Sequence, residues 1–388
     1  MSLYPVPLAG GGVEFRGALS LEPTPAGVIA HRLPARYLRR VPAEFFRVVE
    51  SQPSGVRLAF QTTATVIELD VVTTALTFTE TPPASFGFFD LLIDGAFHSR
   101  DASMSGGIRQ FDFLAGTSRV APGTPETIRF AGLPESNKLV ELWLPHDVEV
   151  ELLALRADKV MTMSTPETPP SWVHYGSSIS HGSNAEHPTG TWPAVAAHAA
   201  GLDLQNLAFA GSALLEPFMA QAIRDTPADI ISLELGINVV NHNAYGARMF
   251  TPLVHGFLDT IREGHPTTPI WIISPLLCPI IEDAPGPTVL APDGQTVIAL
   301  GTAEHLQEGR LNLRAIRELL VDIVVDRAPD DLALHYVDGR ELYGEPEAAS
   351  MPLPDDLHPG PDAHRHIGER FAAIALSAVT ESAAATRA

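Results

Sequence analysis

A serine lies in a small, polar turn near the middle of the chain, directly after a short apolar segment. Residues 172–175 are followed by Gly176, Ser177 and Ser178, a pattern that predicts a strand, a turn and then a helix. A serine at such a bend exposes its hydroxyl as a nucleophile. The alternative is a plain strand end, because serine and glycine are ordinary turn residues.

A histidine near the end of the chain could activate this serine. A serine hydroxyl is a poor nucleophile unless a neighbouring base takes its proton, and His358 is suited to that role. Asp355, three residues earlier, could hold the imidazole in the required tautomer. Asp356 is adjacent and is the alternative orienting carboxylate.

Two further residues could stabilise the negative charge that develops during attack on a carbonyl group. A tetrahedral oxyanion needs fixed hydrogen-bond donors. We expect these from the backbone N–H groups of Ser178 and Gly211 and from the side-chain amide of Asn238. Acyl transfer through a serine is the chemistry that this set of residues predicts.

The second half of the chain alternates strand-like and helix-like segments, which predicts a parallel sheet covered by helices on both faces. The predicted strands are 172–175, 204–207, 229–235, 269–274 and 332–338, and the predicted helices are 191–201, 214–223, 250–262, 303–326 and 363–379. In such sheets the site lies at the carboxyl ends of the strands. The candidate residues follow predicted strands, so we expect them to meet at one edge.

The first half reads as short strands separated by turns, which is typical of an antiparallel sandwich or jelly roll. The predicted strands are 56–61, 65–72, 75–79, 86–93, 127–130, 138–144 and 148–155. We predict a β-sandwich domain over 1–160, a proline-rich linker over 161–170 and an α/β domain over 171–388. The sandwich is either a sugar-binding module or a structural cover for the neighbouring site.

Four sequence blocks in this order resemble the GDSL, or SGNH, family of serine esterases and acyltransferases. They are Gly176-Ser177-Ser178, Asn206-x-x-x-x-Gly211, Gly236-x-Asn238 and Asp355-x-x-His358. The resemblance covers about 171–380. It implies a flavodoxin-like three-layer fold, Ser178 as nucleophile, His358 as base and Asp355 as its partner. It also implies an oxyanion hole formed by Ser178, Gly211 and Asn238.

The first half is similar to the leading sandwich of a subgroup that contains a salicylyl-transferring enzyme of polyketide biosynthesis, and to that of sugar acetyl esterases. Two positions depart from the family pattern. Ser177 stands where the family has Asp before the nucleophile, and Val239 where it has Asp after the block's Asn. Ser180 and Ser183 also lie close to the turn, but the family register selects Ser178.

The composition excludes several classes of partner. The formal net charge is 25 − 46 = −21, which argues against nucleic acid, because phosphate binding needs a basic surface. Cys278 is the single cysteine, so no intramolecular disulfide forms.

We predict no membrane span, no signal peptide and a cytoplasmic location. No cofactor is expected, and His181, His187, His364 and His366 lack the spacing of a metal motif.

The loop over 275–301 is rich in proline and glycine and carries several apolar residues. Loops of this length often cover active sites, so it is either a lid or a surface excursion packed on the sandwich. The function predicted for the whole chain is hydrolysis of an acyl ester of a small molecule or an acylated sugar. The alternatives are transfer of the acyl group to an alcohol, and a carbohydrate-binding protein with an inactive hydrolase domain.

Overall fold

A computed structural model of the chain describes residues 2–8, 10, 12–41, 43–78, 83, 85–112, 115–163 and 169–376. The chain divides into two compact units. The first comprises Met1–Pro169 with His187–Thr189, and the second comprises Pro170–Glu186 with Gly190–Ala388. The predicted linker falls mostly on 164–168, which lie outside the described residues.

Fourteen strands and two helices form the described part of the first unit. The strands are β1 (Tyr4–Val6), β2 (Glu14–Arg16), β3 (Ser20–Pro23), β4 (Val28–His31), β5 (Arg57–Thr62), β6 (Val66–Thr77), β7 (Phe88–Ile93), β8 (Ala96–Ala102), β9 (Gly107–Asp112), β10 (Thr117–Ala121), β11 (Glu126–Ala131), β12 (Lys138–Trp143), β13 (Val148–Ala157) and β14 (Met161–Thr162). The helices are α1 (Ala35–Leu38) and α2 (Glu44–Ser51).

These strands form two sheets that share one apolar core. One sheet has the order β10-β9-β6-β13-β4-β3, with β1 on β13 and β11 on β6, and the other has the order β14-β5-β12-β7-β8, with β2 on β5. Buried side chains of both sheets pack together, for example Phe60 and Phe89 with Leu69. Strand β6 buries every second residue, as expected of a strand with one face on a core. The unit is therefore a β-sandwich.

The sandwich differs from the expected one in two ways. Strands β6 and β9 pair in parallel, so the larger sheet is not wholly antiparallel. The two strands predicted over 65–72 and 75–79 are a single strand, β6. Its alternation of buried and half-buried residues continues without a break to Thr77, and the predicted end at Thr79 lies outside the described residues.

The second unit alternates strands and helices in chain order. The strands are β15 (Ser171–Tyr175), β16 (Asp203–Asn206), β17 (Ile230–Glu234), β18 (Ile270–Ile273), β19 (Thr288–Leu290), β20 (Val297–Ala299) and β21 (Leu334–Val337). The helices are α3 (Ser178–His181), α4 (Trp192–Ala200), α5 (Pro217–Asp225), α6 (Ile237–Asn241), α7 (Ala247–Arg262), α8 (Pro279–Glu282), α9 (Ala303–Gln307), α10 (Leu313–Arg327), α11 (Gly339–Leu342), α12 (Glu345–Ser350) and α13 (Pro361–Phe371). A 3-10 turn spans Pro188–Gly190, and a π-helical turn, Ala372–Leu376, follows α13.

Five of these strands form a parallel sheet in the order β16-β15-β17-β18-β21, which is the flavodoxin-like order. Side chains of β15 show that helices cover both faces. Trp172 packs on Trp192 of α4 and Phe371 of α13, whereas Tyr175 packs on Phe257 of α7. Because residues an odd number apart point to opposite faces of a strand, the sheet lies between two helical layers. This confirms the predicted three-layer α/β fold.

Several predicted helices have different boundaries. The single helix expected over 303–326 is two helices, α9 and α10, because Asn312 caps α10 by accepting a hydrogen bond from Ala315 N at 2.9 Å. Helix α5 begins at Pro217 and not at Leu214. The last helix was expected to reach Val379, but the structure describes it only to the π-helical turn, and 377–379 lie outside the described residues.

Within the described residues, none of the helices combines the length and the apolar character that a membrane span requires. The cytoplasmic location and the lack of a nucleic-acid partner stay predictions.

Candidate active site

The predicted nucleophile turn lies at the carboxyl end of β15. Helix α3 begins at Ser178, and Ser177 caps it by accepting a hydrogen bond from Ile179 N at 3.2 Å. Gly176 is required by a close approach, since a Cβ atom there would lie 2.6 Å from Ser180 Oγ. The turn therefore presents Ser178 at the first position of a short helix, as the sequence pattern predicts.

Three of the predicted site residues form one chain of hydrogen bonds. Ser178 Oγ lies 2.8 Å from His358 Nε2, and His358 Nδ1 lies 2.7 Å from Asp355 Oδ2. Asp355 Oδ1 also accepts hydrogen bonds from the backbone N–H groups of Leu357 and His358, at 3.1 and 2.7 Å. The carboxylate that contacts the imidazole is thus that of Asp355, whereas Asp356 occupies a left-handed turn position with φ of +65°.

The environment of Asp355 keeps it ionised. Burial raises its pKa, but the hydrogen bonds from His358 and Leu357 outweigh this effect and hold the pKa at about 2. An ionised carboxylate on Nδ1 requires the proton at that nitrogen, which leaves Nε2 as the acceptor that faces the serine.

The segment that contains Gly211 lies against the nucleophile turn. Phe209 N donates to the carbonyl of Gly176 at 3.0 Å, and Ala210 N donates to His181 Nδ1 at 3.3 Å. Gly211 itself has φ of +64°, in the left-handed region that favours glycine.

Asn238 lies in α6 and contacts the same segment. Its Oδ1 accepts a hydrogen bond from Ala213 N at 3.0 Å, which fixes the amide and leaves Nδ2 as its donor. Gly236 precedes α6 with φ of +111°, and a Cβ there would lie 2.3 Å from Ile316 Cγ2. Asn238 is thus hydrogen-bonded to the segment that carries Gly211, through the backbone N–H group of Ala213.

Two glutamates near the site, one buried and one half-buried, were not singled out from the sequence. Glu234 ends β17 and accepts hydrogen bonds at Oε2 from Ser177 N, at 2.7 Å, and from Ser180 Oγ, at 3.0 Å. The signal in the sequence is a glutamate that ends an apolar strand, 230–234, every residue of which is buried. Charged residues are almost never fully buried without partners, but that this glutamate is buried and faces the turn follows only from the register of β15 and β17.

The second is Glu216, which supports the segment after Gly211. Its Oε2 accepts hydrogen bonds from Tyr175 Oη at 3.0 Å and from Leu214 N at 3.2 Å. Burial raises the pKa of Glu216 to about 7, although these hydrogen bonds lower it. Tyr175 Oη in turn accepts a hydrogen bond from Leu215 N at 3.2 Å.

The loop over 275–301 carries secondary structure and contacts two parts of the site. It contains α8 and the hairpin of β19 and β20. Val297 N donates to the carbonyl of Asp355 at 3.0 Å, and a Cβ atom on Gly286 would lie 1.8 Å from the carbonyl oxygen of Val240. Leu290 and Leu300 are 50% and 52% exposed. The loop thus lies beside the catalytic candidates, and its role as a lid stays a prediction.

The histidines considered for a metal site have separate protein partners. These partners are Ala210 for His181, Asp90 for His187, Ser183 for His364 and Glu347 for His366. In the part of the chain that the structure describes, no three His, Cys, Asp or Glu side chains are grouped so that they could hold a metal ion.

A histidine in β15 and the single cysteine are both buried. His174 is packed in the core, where burial lowers its pKa to about 3. Burial raises the pKa of the Cys278 thiol to about 12.

Known proteins share this fold, and a family model matches the part of the chain that carries the four sequence blocks. Residues 174–366 match the model of the GDSL-like lipase/acylhydrolase family. Comparison with curated proteins gave no match. Among solved structures, the salicylyl-acyltransferase SsfX3 from a tetracycline biosynthetic pathway is 28% identical with a TM-score of 0.79, over 96% of this chain and 97% of that one.

Two less similar structures share the fold. A GDSL-like lipase from Bacteroides ovatus is 20% identical over 98% of both chains, with a TM-score of 0.68. A family two carbohydrate esterase from Clostridium thermocellum is 14% identical, with a TM-score of 0.58, over 93% of this chain and 97% of that one. Through its domain at 174–366, the chain belongs to the GDSL-like lipase/acylhydrolase family and is an enzyme of that family.

Proposed function

We propose that the protein is a serine-dependent acyl ester hydrolase that forms an acyl-enzyme on Ser178. The observation that carries this proposal is the hydrogen-bonded chain from Ser178 through His358 to Asp355, with distances of 2.8 and 2.7 Å. A nucleophile within reach of a base, with the base oriented by a third group, is the geometry that nucleophilic catalysis requires.

In the first half of the reaction, His358 Nε2 takes the hydroxyl proton as Ser178 Oγ bonds to the ester carbonyl carbon. The carbonyl oxygen becomes an oxyanion, which accepts hydrogen bonds from the N–H groups of Ser178 and Gly211 and from Asn238 Nδ2. Each such donor typically contributes about 3–4 kcal/mol to transition-state stabilisation. The bond to the alcohol then breaks, and His358 gives its proton to the departing oxygen.

In the second half, His358 takes a proton from water as the water oxygen attacks the acyl carbon. The bond to Ser178 Oγ breaks, the serine recovers its proton from His358, and the carboxylic acid leaves. Asp355 stays ionised throughout and stabilises the imidazolium that forms twice.

Acyl transfer to an alcohol is the second candidate function, and the similarity to a salicylyl-acyltransferase over 96% of this chain supports it. An alcohol that replaces water in the second half of the reaction yields an ester in place of an acid. We propose a small-molecule acyl ester as donor on the same ground. The structures that act on carbohydrates are less than 25% identical and indicate the fold alone, so a sugar substrate rests only on the sequence prediction.

Product analysis with added alcohols distinguishes the two functions. Wild type and Ser178→Ala would be incubated with acetyl and benzoyl p-nitrophenyl esters, with and without a panel of alcohols. We expect p-nitrophenol release by wild type and none above background by Ser178→Ala. New esters formed only by wild type would establish transfer, and acid as the sole product with every alcohol would leave hydrolysis. Equal release by both proteins would refute a reaction on Ser178.

A further inference from the structure

A carboxylate from the sheet lies directly beneath the nucleophile turn. In the parallel register of β15 and β17, Tyr175 is paired with Leu233, so the next residues, Gly176 and Glu234, lie side by side. Glu234 is 3% exposed, and burial raises its pKa, although the hydrogen bonds that it accepts from Ser177 and Ser180 lower it. A buried carboxyl group is costly unless its hydrogen bonds compensate.

One oxygen of this carboxylate connects both ends of the turn. Glu234 Oε2 accepts hydrogen bonds from Ser177 N at 2.7 Å and from Ser180 Oγ at 3.0 Å. These two residues flank Ser178 in the sequence, one before it and the other two positions after it. The two contacts therefore restrain the backbone on either side of the nucleophile.

The glutamate also explains a departure from the family pattern. The family has Asp before the nucleophile, and this chain has Ser177, whose hydroxyl caps α3 through Ile179 N. Serine and aspartate serve equally as helix caps, so the cap survives the change. The carboxyl group, which a serine cannot supply, comes instead from the end of β17.

Gly176 shows how closely the two groups fit. A Cβ atom at Gly176 would lie 2.8 Å from Glu234 Oε2 and 2.6 Å from Ser180 Oγ. The carboxylate, the turn and the glycine thus form one tightly packed unit, in which a displaced Glu234 side chain would move the turn.

Resting on the proposed function, we propose that Glu234 is the positioning residue for Ser178, and that it replaces from the sheet the carboxylate that relatives carry within the turn. Glu234 lies behind the nucleophile and touches Ser177 and Ser180, so it acts through the turn. Its loss should lower kcat with little effect on KM, because a misplaced nucleophile changes the reaction and not the binding of the ester.

The test exchanges the carboxylate between the two positions. Glu234→Leu removes both acceptor oxygens, and we expect kcat to fall roughly tenfold to hundredfold with KM within about threefold. Glu234→Gln keeps one acceptor oxygen and should retain most of the activity. Ser177→Asp alone places a second carboxylate against Glu234 and should lower kcat, because like charges in a buried site repel.

The two changes together should compensate for each other. Ser177→Asp in the Glu234→Leu or Glu234→Gln background should raise kcat above that of Ser177→Asp alone, since one carboxylate then remains. If Glu234 only packs against the turn, replacing it should not raise the kcat of Ser177→Asp. The double variant with Glu234→Gln keeps a polar side chain at position 234, so it tests the proposal even if the variants with Glu234→Leu do not fold.

A matched control is Glu50→Leu in the sandwich. Glu50 is also buried and accepts hydrogen bonds from Leu33 N at 2.9 Å and from His31 Nδ1 at 2.7 Å. Its loss should lower Tm as Glu234→Leu does, but leave kcat within about twofold of wild type.

The outcomes separate this proposal from the proposed function. Wild-type turnover that Ser178→Ala abolishes, combined with unchanged kcat in Glu234→Leu, would overturn the role of Glu234 alone. An equal fall in kcat on Ser177→Asp in every background would also overturn the role of Glu234. A wild type that neither turns over esters nor reacts at Ser178 with a phosphonate probe would overturn the proposed function, and this proposal with it.

Discussion

At the scale of single residues, the orientation of His358 depends on one of two adjacent aspartates. Asp355 accepts hydrogen bonds both from the ring and from the backbone of the loop that carries the histidine. The sequence permitted either Asp355 or Asp356, because a spacing of two or three residues is compatible with contact in a loop. The family resemblance implies Asp355, and in the structure it is the carboxylate of Asp355 that contacts His358 Nδ1.

We predict that Asp355→Asn lowers kcat by about 10²- to 10⁴-fold, because an amide at this position stabilises neither the required tautomer nor the imidazolium. Ester turnover by purified variants at pH 7 measures the effect. The matched control, Asp356→Asn, should stay within about twofold of wild type. Equal losses in both variants would show that the loop, and not the contact to Nδ1, determines activity.

The four sequence blocks could be read from residue types because the nucleophile, base and oxyanion donors have few chemical alternatives. Glu234 was missed for a physical reason. A glutamate at the end of a strand is usually solvated, and only the register of β15 and β17 reveals that it faces the turn. Glu216 was missed in the same way, since its partner Tyr175 is 41 residues away in the sequence.

At the scale of elements, hydrogen bonds to Glu216 and Tyr175 hold the segment 211–216. The pKa of Glu216 is about 7 in the folded protein, above its usual value of about 4.5. The folded state therefore binds an additional proton between these values, and the free energy of unfolding falls as pH rises through this range. At pH values well above 7, the stabilisation that this additional proton provides is fully lost.

We predict that Glu216→Gln removes this dependence. The glutamine oxygen can accept the hydrogen bonds from Tyr175 and Leu214, and it carries no charge to bury. The variant should exceed wild type in free energy of unfolding by up to about 3 kcal/mol at pH 8 and by little at pH 5. Urea denaturation at both pH values measures this. A difference that is the same at pH 5 and pH 8 would show that Glu216 does not titrate in this range.

The hairpin of β19 and β20 is the element most suited to select the substrate, because it touches the backbone of Asp355 and exposes apolar side chains. The sequence indicated a long loop here but not its structure. Prolines and glycines predict turns, whereas the pairing of Val289 with Ile298 involves strands of only three residues. Strands this short carry too little periodicity to be predicted.

We predict that replacing Leu290 and Leu300 together by serine raises KM for a benzoyl or hexanoyl ester by roughly threefold to tenfold, from the lost apolar contact. KM for the acetyl ester should change less, since its acyl group has little apolar surface to place against the hairpin. Steady-state kinetics on the three esters measures the difference. Leu332→Ser, at an 88% exposed leucine near the amino end of β21, serves as control. Equal changes for all three esters would contradict the lid interpretation.

At the scale of the whole molecule, the fold class followed from the alternation of strands and helices, and the three-layer domain forms as predicted. Several elements of the first unit were not predicted. Among them, helix α1 has only four residues and no residue of β8 is buried, so neither carries a clear pattern. Helix α2 is amphipathic, with Phe46, Val48 and Val49 buried, and its pattern could have been recognised. The four blocks lie in the second unit, at 176–358.

In the proposed reaction, Ser178 carries the acyl group during turnover. Wild type would be quenched in acid within milliseconds of mixing with a benzoyl ester, digested and analysed by mass spectrometry, beside Ser178→Ala and Ser177→Ala. We predict a benzoyl adduct on Ser178 in wild type and in Ser177→Ala, and none in Ser178→Ala. An adduct on Ser177 or Ser180, or turnover by Ser178→Ala at the wild-type rate, would contradict the account.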